Sequence, residues 1–220
     1  MIKAVIFDFD DTLSMTSGSN NMLTNKALVA MGREPMSMEE HQKTVGDPLK
    51  VTLANHYPGL DLEEFMLHLN KERGAELAKG QIENVSPEGL NAMDELARQG
   101  KQLMIVSSRR EEGFWNLMDR THHLGSRISH FYHMGNNPYH KPDPRVFEII
   151  EKEHGLKPSE CVYVGDTLND AAAATGAGLH FIASLESGIL SQKDYADYKV
   201  DAFVKNIPGI LPAIAALEKN

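Results

Sequence analysis

The residues best equipped for chemistry lie in one short stretch, Val5 to Leu13, which reads VIFDFDDTL. Asp8 and Asp10 are two apart, and Asp11 and Thr12 follow at once. Apolar Val5, Ile6 and Phe7 lead into them, a run whose β-branched and aromatic character predicts a buried central strand. Carboxylates at the C-terminal end of such a strand are costly to bury unless a cation or hydrogen bonds compensate them. That end is also where ligands bind in open parallel sheets. While the chain stays extended, Asp8 and Asp10 leave the same face. Two converging carboxylates make a hard-oxygen site suited to Mg²⁺. The competing reading is a plain acidic turn after a strand.

Three further places offer partners to these carboxylates. Leu103 to Val106 runs into Ser107-Ser108-Arg109, where hydroxyls and the backbone N–H groups of a turn can grip a phosphate. Serine after a strand is also ordinary turn chemistry. Lys141 sits in HKPDP, fixed by two prolines between a loop and a helix start, where it can act as a point charge on phosphate. In VYVGDTLND, Asp166 ends a strand and Asp170 lies one helical turn later. Asp166 offers another metal oxygen, with Asp170 supporting from i+4. Taken alone, Asp166 reads as a helix N-cap.

The elements that must position these residues follow from periodicity. Ser14 to Asn21 is polar and reads as a loop or hinge. From Met22 to about Lys79 the pattern is helical. Leu62, Phe65, Met66, Leu69 and Leu77 form one stripe; Leu23, Ala27, Leu28 and Met31 form another that ends at Gly32. Shorter helical pieces flank Gly46-Asp47-Pro48. The expected organisation is a core of residues 1–14 and 85–220 with a helical domain, 15–84, inserted in it. Ser86 and Pro87 open a helix whose buried face is Leu90, Met93, Leu96 and Ala97 and which Gly100 ends. Strands are expected at Gln102–Val106, around Phe131-Tyr132, at Cys161–Val164, at His180–Ala183 and near Phe203. Helices are expected over Glu111–His123 with Phe114 and Trp115 in the core, from Pro144 after an Asp143 cap, over Leu168–Thr175, and at the end through Leu217. Strands alternating with helices imply an α/β fold with a parallel sheet covered on both faces.

Composition narrows the functions. With 220 residues and 41% hydrophobic content, the chain can bury a core. A net charge of -9 argues against a nucleic-acid footprint and an anionic membrane surface. An anionic substrate would therefore need a local cation. Cys161 is the sole cysteine, which rules out intrachain disulfides and suits a reducing cytosol. It lies in an apolar run and reads as core. With no signal-peptide pattern and no membrane-spanning run, a cytoplasmic protein is expected. His122, His123, His130, His133 and His140 lack helix-face spacing and read as loop and surface residues rather than a zinc site. Arg33, Lys43, Lys50 and His56 read as solvated helix positions.

In order, the chain reads DxDxT, strand-Ser, Lys-Pro, strand-GDxxxD. This resembles the haloacid dehalogenase (HAD) superfamily of phosphotransferases over essentially the whole length. The resemblance implies a Rossmann-like parallel-sheet core with an inserted α-helical cap, acting on a small phosphorylated metabolite as a monomer or homodimer. It makes Asp8 the nucleophile that becomes an aspartyl-phosphate, and Asp10 the general acid and then base. It assigns Mg²⁺ to the Asp8 carboxylate, the Asp10 backbone carbonyl and Asp166, with Asp170 behind them. Ser107, Ser108 and Lys141 fall at phosphate-binding positions. Thr44 to Leu49 is similar to the cap loop of phosphoglycolate phosphatase-like members, and SPEGLNAMDELARQGKQLMIVSS to their exit from the cap. Closure would hinge near Ser17-Gly18 and Lys79-Gly80. Three positions depart from the pattern: Asp11 replaces a common Gly, Met15 a frequent acidic residue, and Ser107 the more usual Thr. Asp10 argues against the dehalogenase and phosphonatase branches. Gly165-Asp166, where β-phosphoglucomutases usually have Glu-Asp, favours hydrolysis over isomerisation. A binding-only relative is the remaining alternative.

Overall fold

A computed structural model describes residues 1–44, 49–78 and 85–219. In chain order the elements are β1 (Ala4–Phe7), α1 (Ser17–Ala30), α2 (Met38–Lys43), α3 (Leu49–His56), α4 (Leu62–Ala78), α5 (Pro87–Arg98), β2 (Gln102–Val106), α6 (Trp115–Met118), β3 (His130–Tyr132), α7 (Glu148–His154), β4 (Cys161–Gly165), α8 (Leu168–Gly176), β5 (His180–Ser184), β6 (Ala202–Val204) and α9 (Ile210–Leu217). The chain divides into two compact units, Met1–Ser14 with Val85–Asn220, and Met15–Asn84.

The first unit is built on a six-stranded sheet in the order β3-β2-β1-β4-β5-β6, parallel at every pairing. β1 lies inside it because all four of its residues are apolar and buried, as a strand covered on both faces requires. Alternation divides them. Val5 and Phe7 enter one core with Met93 and Leu96 of α5 and Ile210 and Ile214 of α9. Ala4 and Ile6 enter the other with Ile150 of α7 and Ala171 and Ala174 of α8. Each large side chain so buried stabilises the fold by about 1.5–3 kcal/mol. The strand order reverses between β1 and β4, and a crevice forms at the carboxyl ends of strands at such a switch point. The expected α/β parallel sheet is present.

Local departures from expectation have identifiable causes. α5 starts where Ser86 Oγ accepts the Gly89 N–H at 3.0 Å, but Ala92 is buried in place of Ala97, which faces solvent. The expected helix over Glu111–His123 breaks into a 3₁₀ turn at Glu111–Gly113 and the single turn of α6. Asp119 Oδ1 accepts the Thr121 N–H at 2.8 Å, an Asx turn that competes with helix. Phe114 is buried as expected, whereas Trp115 is 62% exposed. His133 is also buried, against the expectation of a surface residue; its Nδ1 accepts the Gly135 N–H at 3.0 Å and its ring stacks 6.1 Å from Phe114. Cys161 lies in the core, where burial pushes its thiol up to about 11, so it is no nucleophile.

The second unit is helical and buries Leu23, Ala27, Leu28, Met36, Leu53, Phe65 and Leu69 together. Ser17 to Asn21 belongs to α1 rather than to a polar loop. Its polarity serves a chain reversal: Asn21 and Asn25 donate to the Met36 carbonyl at 3.2 and 2.8 Å, and Asn25 Oδ1 accepts the Met36 N–H at 2.7 Å. Gly32, at φ +68°, makes the turn that brings Met36 back. Lys43 pairs with Glu39 at 2.8 Å, and His56 Nδ1 lies 3.0 Å from the Thr52 carbonyl. Of the expected cap loop Thr44 to Leu49, residues 45–48 lie outside the described residues, as does the expected hinge at Lys79-Gly80. Among the described residues no helix is long and apolar enough to cross a membrane.

The cap of α5 gives a simple test of the first unit. Ser86→Ala removes the acceptor for Gly89 and should cost about 1 kcal/mol, read as a lower urea midpoint by far-UV circular dichroism. An unchanged midpoint would show that the cap contributes nothing.

Candidate active site

Three carboxylates meet at the ends of β1 and β4. One oxygen each of Asp8, Asp166 and Asp170 lies within 4.8 Å of the others, and all three residues are buried. Asp8 continues the sheet for one more step, its N–H donating to the Val164 carbonyl at 2.8 Å. Asp166 follows β4. Its Oδ1 accepts from Thr12 Oγ1 at 3.0 Å, and its backbone carbonyl accepts from the buried Tyr195 hydroxyl at 2.6 Å. Thr167, not Asp166, caps α8, in a reciprocal box with Asp170. The cap reading of Asp166 is therefore set aside.

Among the described residues, Lys141 supplies the one ammonium in this cluster. Its Nζ lies 2.6 Å from Asp170 Oδ1, 2.9 Å from Asp8 Oδ1 and 3.0 Å from the Tyr163 hydroxyl oxygen, so all three donor directions are occupied. Tyr163 reaches up from β4, its hydroxyl 3.0 Å from both the Val106 carbonyl and Asp170 Oδ1. Asp170 Oδ2 accepts the Thr167 N–H at 2.9 Å and the Thr167 hydroxyl at 2.6 Å. Asp170 thus has both oxygens saturated, which makes it the anchor of Lys141. Gly165 is dictated by this packing: a Cβ there would stand 2.6 Å from the Asp170 Cβ and Cγ.

Charge decides the protonation states. Burial raises the Asp8 carboxyl to about 7; Lys141 opposes the rise, and Asp170 and Asp10 add to it. Burial also holds Asp166 well above the ordinary carboxylate value, reinforced by Asp170, Asp8 and Asp11. Burial would raise Asp170 too, but Lys141 and the Thr167 hydrogen bonds outweigh it and keep the group low. For Lys141, burial opposes the charge, yet Asp170 and Asp8 overcome it and hold the ammonium above the usual lysine value. One lysine cannot neutralise three carboxylates. The closer pair, Asp170 with Lys141, is the ionised one, and Asp8 and Asp166 remain short of positive charge. Hard oxygens with that deficit fit a divalent cation such as Mg²⁺.

Asp10 is handled differently. Both its oxygens are held at 2.7 Å by the guanidinium of Arg109, Nε on Oδ2 and Nη2 on Oδ1. The expected common direction of Asp8 and Asp10 ends in two separate ion pairs, because the chain turns. Asp11 adopts φ +55°, and the Leu13 and Ser14 N–H groups both reach the Phe9 carbonyl at 3.0 Å. The left-handed position explains why glycine is at home there, and aspartate is among the few residues that tolerate it. Ser107 is buried after β2, its Oγ accepting the Arg109 N–H at 3.2 Å, whereas Ser108 is exposed. Sequence reasoning gave no role to Arg109, Tyr163, Thr167 or Tyr195. Tyr163 read as part of the apolar strand at Cys161–Val164, and only the adjacency of Arg109 to the strand-end serine hinted at its place.

A family model for haloacid dehalogenase-like hydrolases matches residues 5–184. The chain belongs to that family. It is a hydrolase. Phosphoglycolate phosphatase 1 of Pseudomonas aeruginosa is 24% identical over 216 residues, 96% of this chain and 79% of that protein. Glyceraldehyde 3-phosphate phosphatase of Methanothermobacter thermautotrophicus is 28% identical over 223 residues, 94% and 92% of the two chains. Among solved structures, a protein of Thermotoga maritima named as a β-phosphoglucomutase superposes with a TM-score of 0.80 at 18% identity, over 98% of this chain and 99% of that one; at that identity the likeness concerns the fold.

The raised carboxyls give a pH signature. Asp8 binds its proton more tightly in the fold than in the unfolded chain, so metal-free protein should lose stability as pH rises from about 4 to about 7. Thermal melts in EDTA should show Tm falling across that window, and Mg²⁺ at pH 7 should raise it. In Asp8→Asn both effects should shrink. A Tm flat in pH and indifferent to Mg²⁺ would contradict the charge deficit. Gly165→Ala should destabilise the protein by about 1–3 kcal/mol through overpacking against Asp170, measured by urea unfolding.

Proposed function

We propose that this protein is a Mg²⁺-dependent phosphatase that hydrolyses a small phosphomonoester through an aspartyl-phosphate on Asp8. The observation that carries the proposal is the buried Asp8 carboxylate beside Lys141 at 2.9 Å, at the crevice end of the central strand and within a carboxylate cluster. A carboxylate attacking a phosphate ester meets like-charge repulsion, which a catalyst offsets by placing positive charge where the transferring group sits. Lys141 supplies one such charge. Asp8, Asp166 and the Asp10 backbone carbonyl would hold Mg²⁺, which supplies the remaining positive charge and polarises the phosphoryl group.

In the first step an Asp8 oxygen bonds to phosphorus, the ester P–O bond breaks, and the leaving oxygen takes a proton from Asp10. In the second, water gives a proton to Asp10 and attacks phosphorus, the Asp8 O–P bond breaks, and inorganic phosphate leaves. Ser107 and Lys141 hold the phosphoryl oxygens, with Ser108 at the exposed side of the same turn. The unit at residues 15–84 is assigned as the cap that selects the substrate.

The names of the relatives favour phosphoglycolate or another small phosphorylated acid or aldehyde. The phosphomutase reading has less support: a Glu at position 165, usual in that group, would collide with Asp170. The enzyme is assigned to the cytoplasm, as a monomer or homodimer, and the single cysteine suits that compartment.

The test is phosphate release from phosphoglycolate, glyceraldehyde 3-phosphate, hexose phosphates, nucleotides and pyrophosphate, with Mg²⁺ and with EDTA. β-Glucose 1-phosphate is also followed for conversion to glucose 6-phosphate. Release that needs Mg²⁺, favours the small acids or aldehydes and vanishes in Asp8→Asn is expected. Substantial activity in folded Asp8→Asn would sink the aspartyl-phosphate, and isomerisation without release would move the protein to the mutases.

A further inference from the structure

Asp10 follows β1 and Arg109 follows β2, so their ion pair joins two neighbouring strand ends. It is bidentate, with both N···O distances at 2.7 Å. Arg109 is itself fixed on every side. Its guanidinium lies 4.5 Å above the Phe9 ring and 5.7 Å from that of Phe114. Its Nη1 donates to the Gly113 carbonyl at 3.1 Å. Its N–H donates to Ser107 Oγ, and its carbonyl accepts the Met134 N–H at 2.9 Å. The arginine side chain is 12% exposed and that of Asp10 34%.

We propose that Arg109 is a positioning residue, a fork on an aromatic bed that fixes the plane and direction of the Asp10 carboxylate for its two proton transfers. The proposal rests on the phosphatase reading above. A partly exposed ion pair adds little to stability, so the elaborate seating of Arg109 is better accounted for by orientation. Proton transfer demands that the carboxylate meet the ester oxygen and then the water within hydrogen-bond reach. An unsupported aspartate at the mouth of a turn samples several rotamers, and small misplacements near reacting atoms are costly in rate. A planar fork removes that freedom, whereas a lysine, being a point charge, does not. The seating also couples the sites: Ser107, which takes a phosphoryl oxygen, accepts the backbone N–H of the residue that holds the acid.

Leaving-group chemistry separates this role from a structural one. 4-Nitrophenolate departs without a proton, whereas an alkyl leaving group needs one. With 4-nitrophenyl phosphate, Arg109→Ala should keep the pre-steady-state burst of nitrophenolate while the later, base-dependent phase slows. With phosphoglycolate, kcat should fall on the order of 10²-fold at a KM within about threefold, and Arg109→Lys should recover less than about tenfold of that loss. Equal loss of burst and steady state, or kcat unchanged with KM raised, would overturn the positioning role. Wild type with neither burst nor turnover would instead overturn the phosphatase reading.

Discussion

The structure depends on an imbalance of charge: three buried carboxylates, Asp8, Asp166 and Asp170, surround one buried ammonium. A protein selected for stability alone would fill such a position with apolar side chains, since buried ions are expensive even when paired. Here the surroundings are arranged to sustain the imbalance. Tyr163 and Thr167 saturate Asp170, Asp170 saturates Lys141, and Gly165 leaves the room that Asp170 occupies. Asp8 is what remains, a carboxylate whose compensation is incomplete and which burial holds near 7. That deficit is a site for positive charge, and it gives the position of the proposed nucleophile a chemical meaning that a satisfied ion pair would lack.

Asp8 and Asp10 show how one turn gives two like groups different partners. Two residues apart, they end up with different cations. Asp8 is sealed in the sheet's end with Lys141, while Asp10 stands at the mouth with Arg109. Paired titratable groups placed in contrasting environments are the usual means by which a site divides nucleophile from acid and base. The left-handed Asp11 and the two N–H groups converging on the Phe9 carbonyl make that separation. The cost of a non-glycine residue at positive φ is modest for aspartate, and the position is locked by its own hydrogen bond to the Ser14 carbonyl at 2.7 Å.

Overall charge makes the local cations more consequential. A chain with a net charge of -9 repels an anionic ester at long range, so the approach depends on positive charge concentrated at one place. Lys141 and Arg109 are already matched by the carboxylates they pair with, so the site still lacks the positive charge that an anion requires.

The fold was largely legible in the amino-acid order. β1, β4 and β2 after its first residue are continuous apolar runs, as strands buried on both faces require. The motif residues Asp8, Lys141, Asp166 and Asp170 could be picked out because chemistry restricts what may stand at a strand's end. Where local signals compete, the sequence misled. Glu111–His123 has helical periodicity but is broken by the Asp119 turn, and Ser17–Asn21 looks like a loop but is helix because Asn21 and Asn25 turn inward to bind Met36. The sequence alone determined the central strands and marked the carboxylates and the lysine that meet at their ends, since both depend on residue type and short-range spacing. The tertiary structure decided the partners: Lys141 with Asp170, Tyr163 beneath them, and Arg109 on Asp10 across 99 residues of chain. Those pairings arise only when strand order places β2, β1 and β4 side by side, and no local pattern encodes that order.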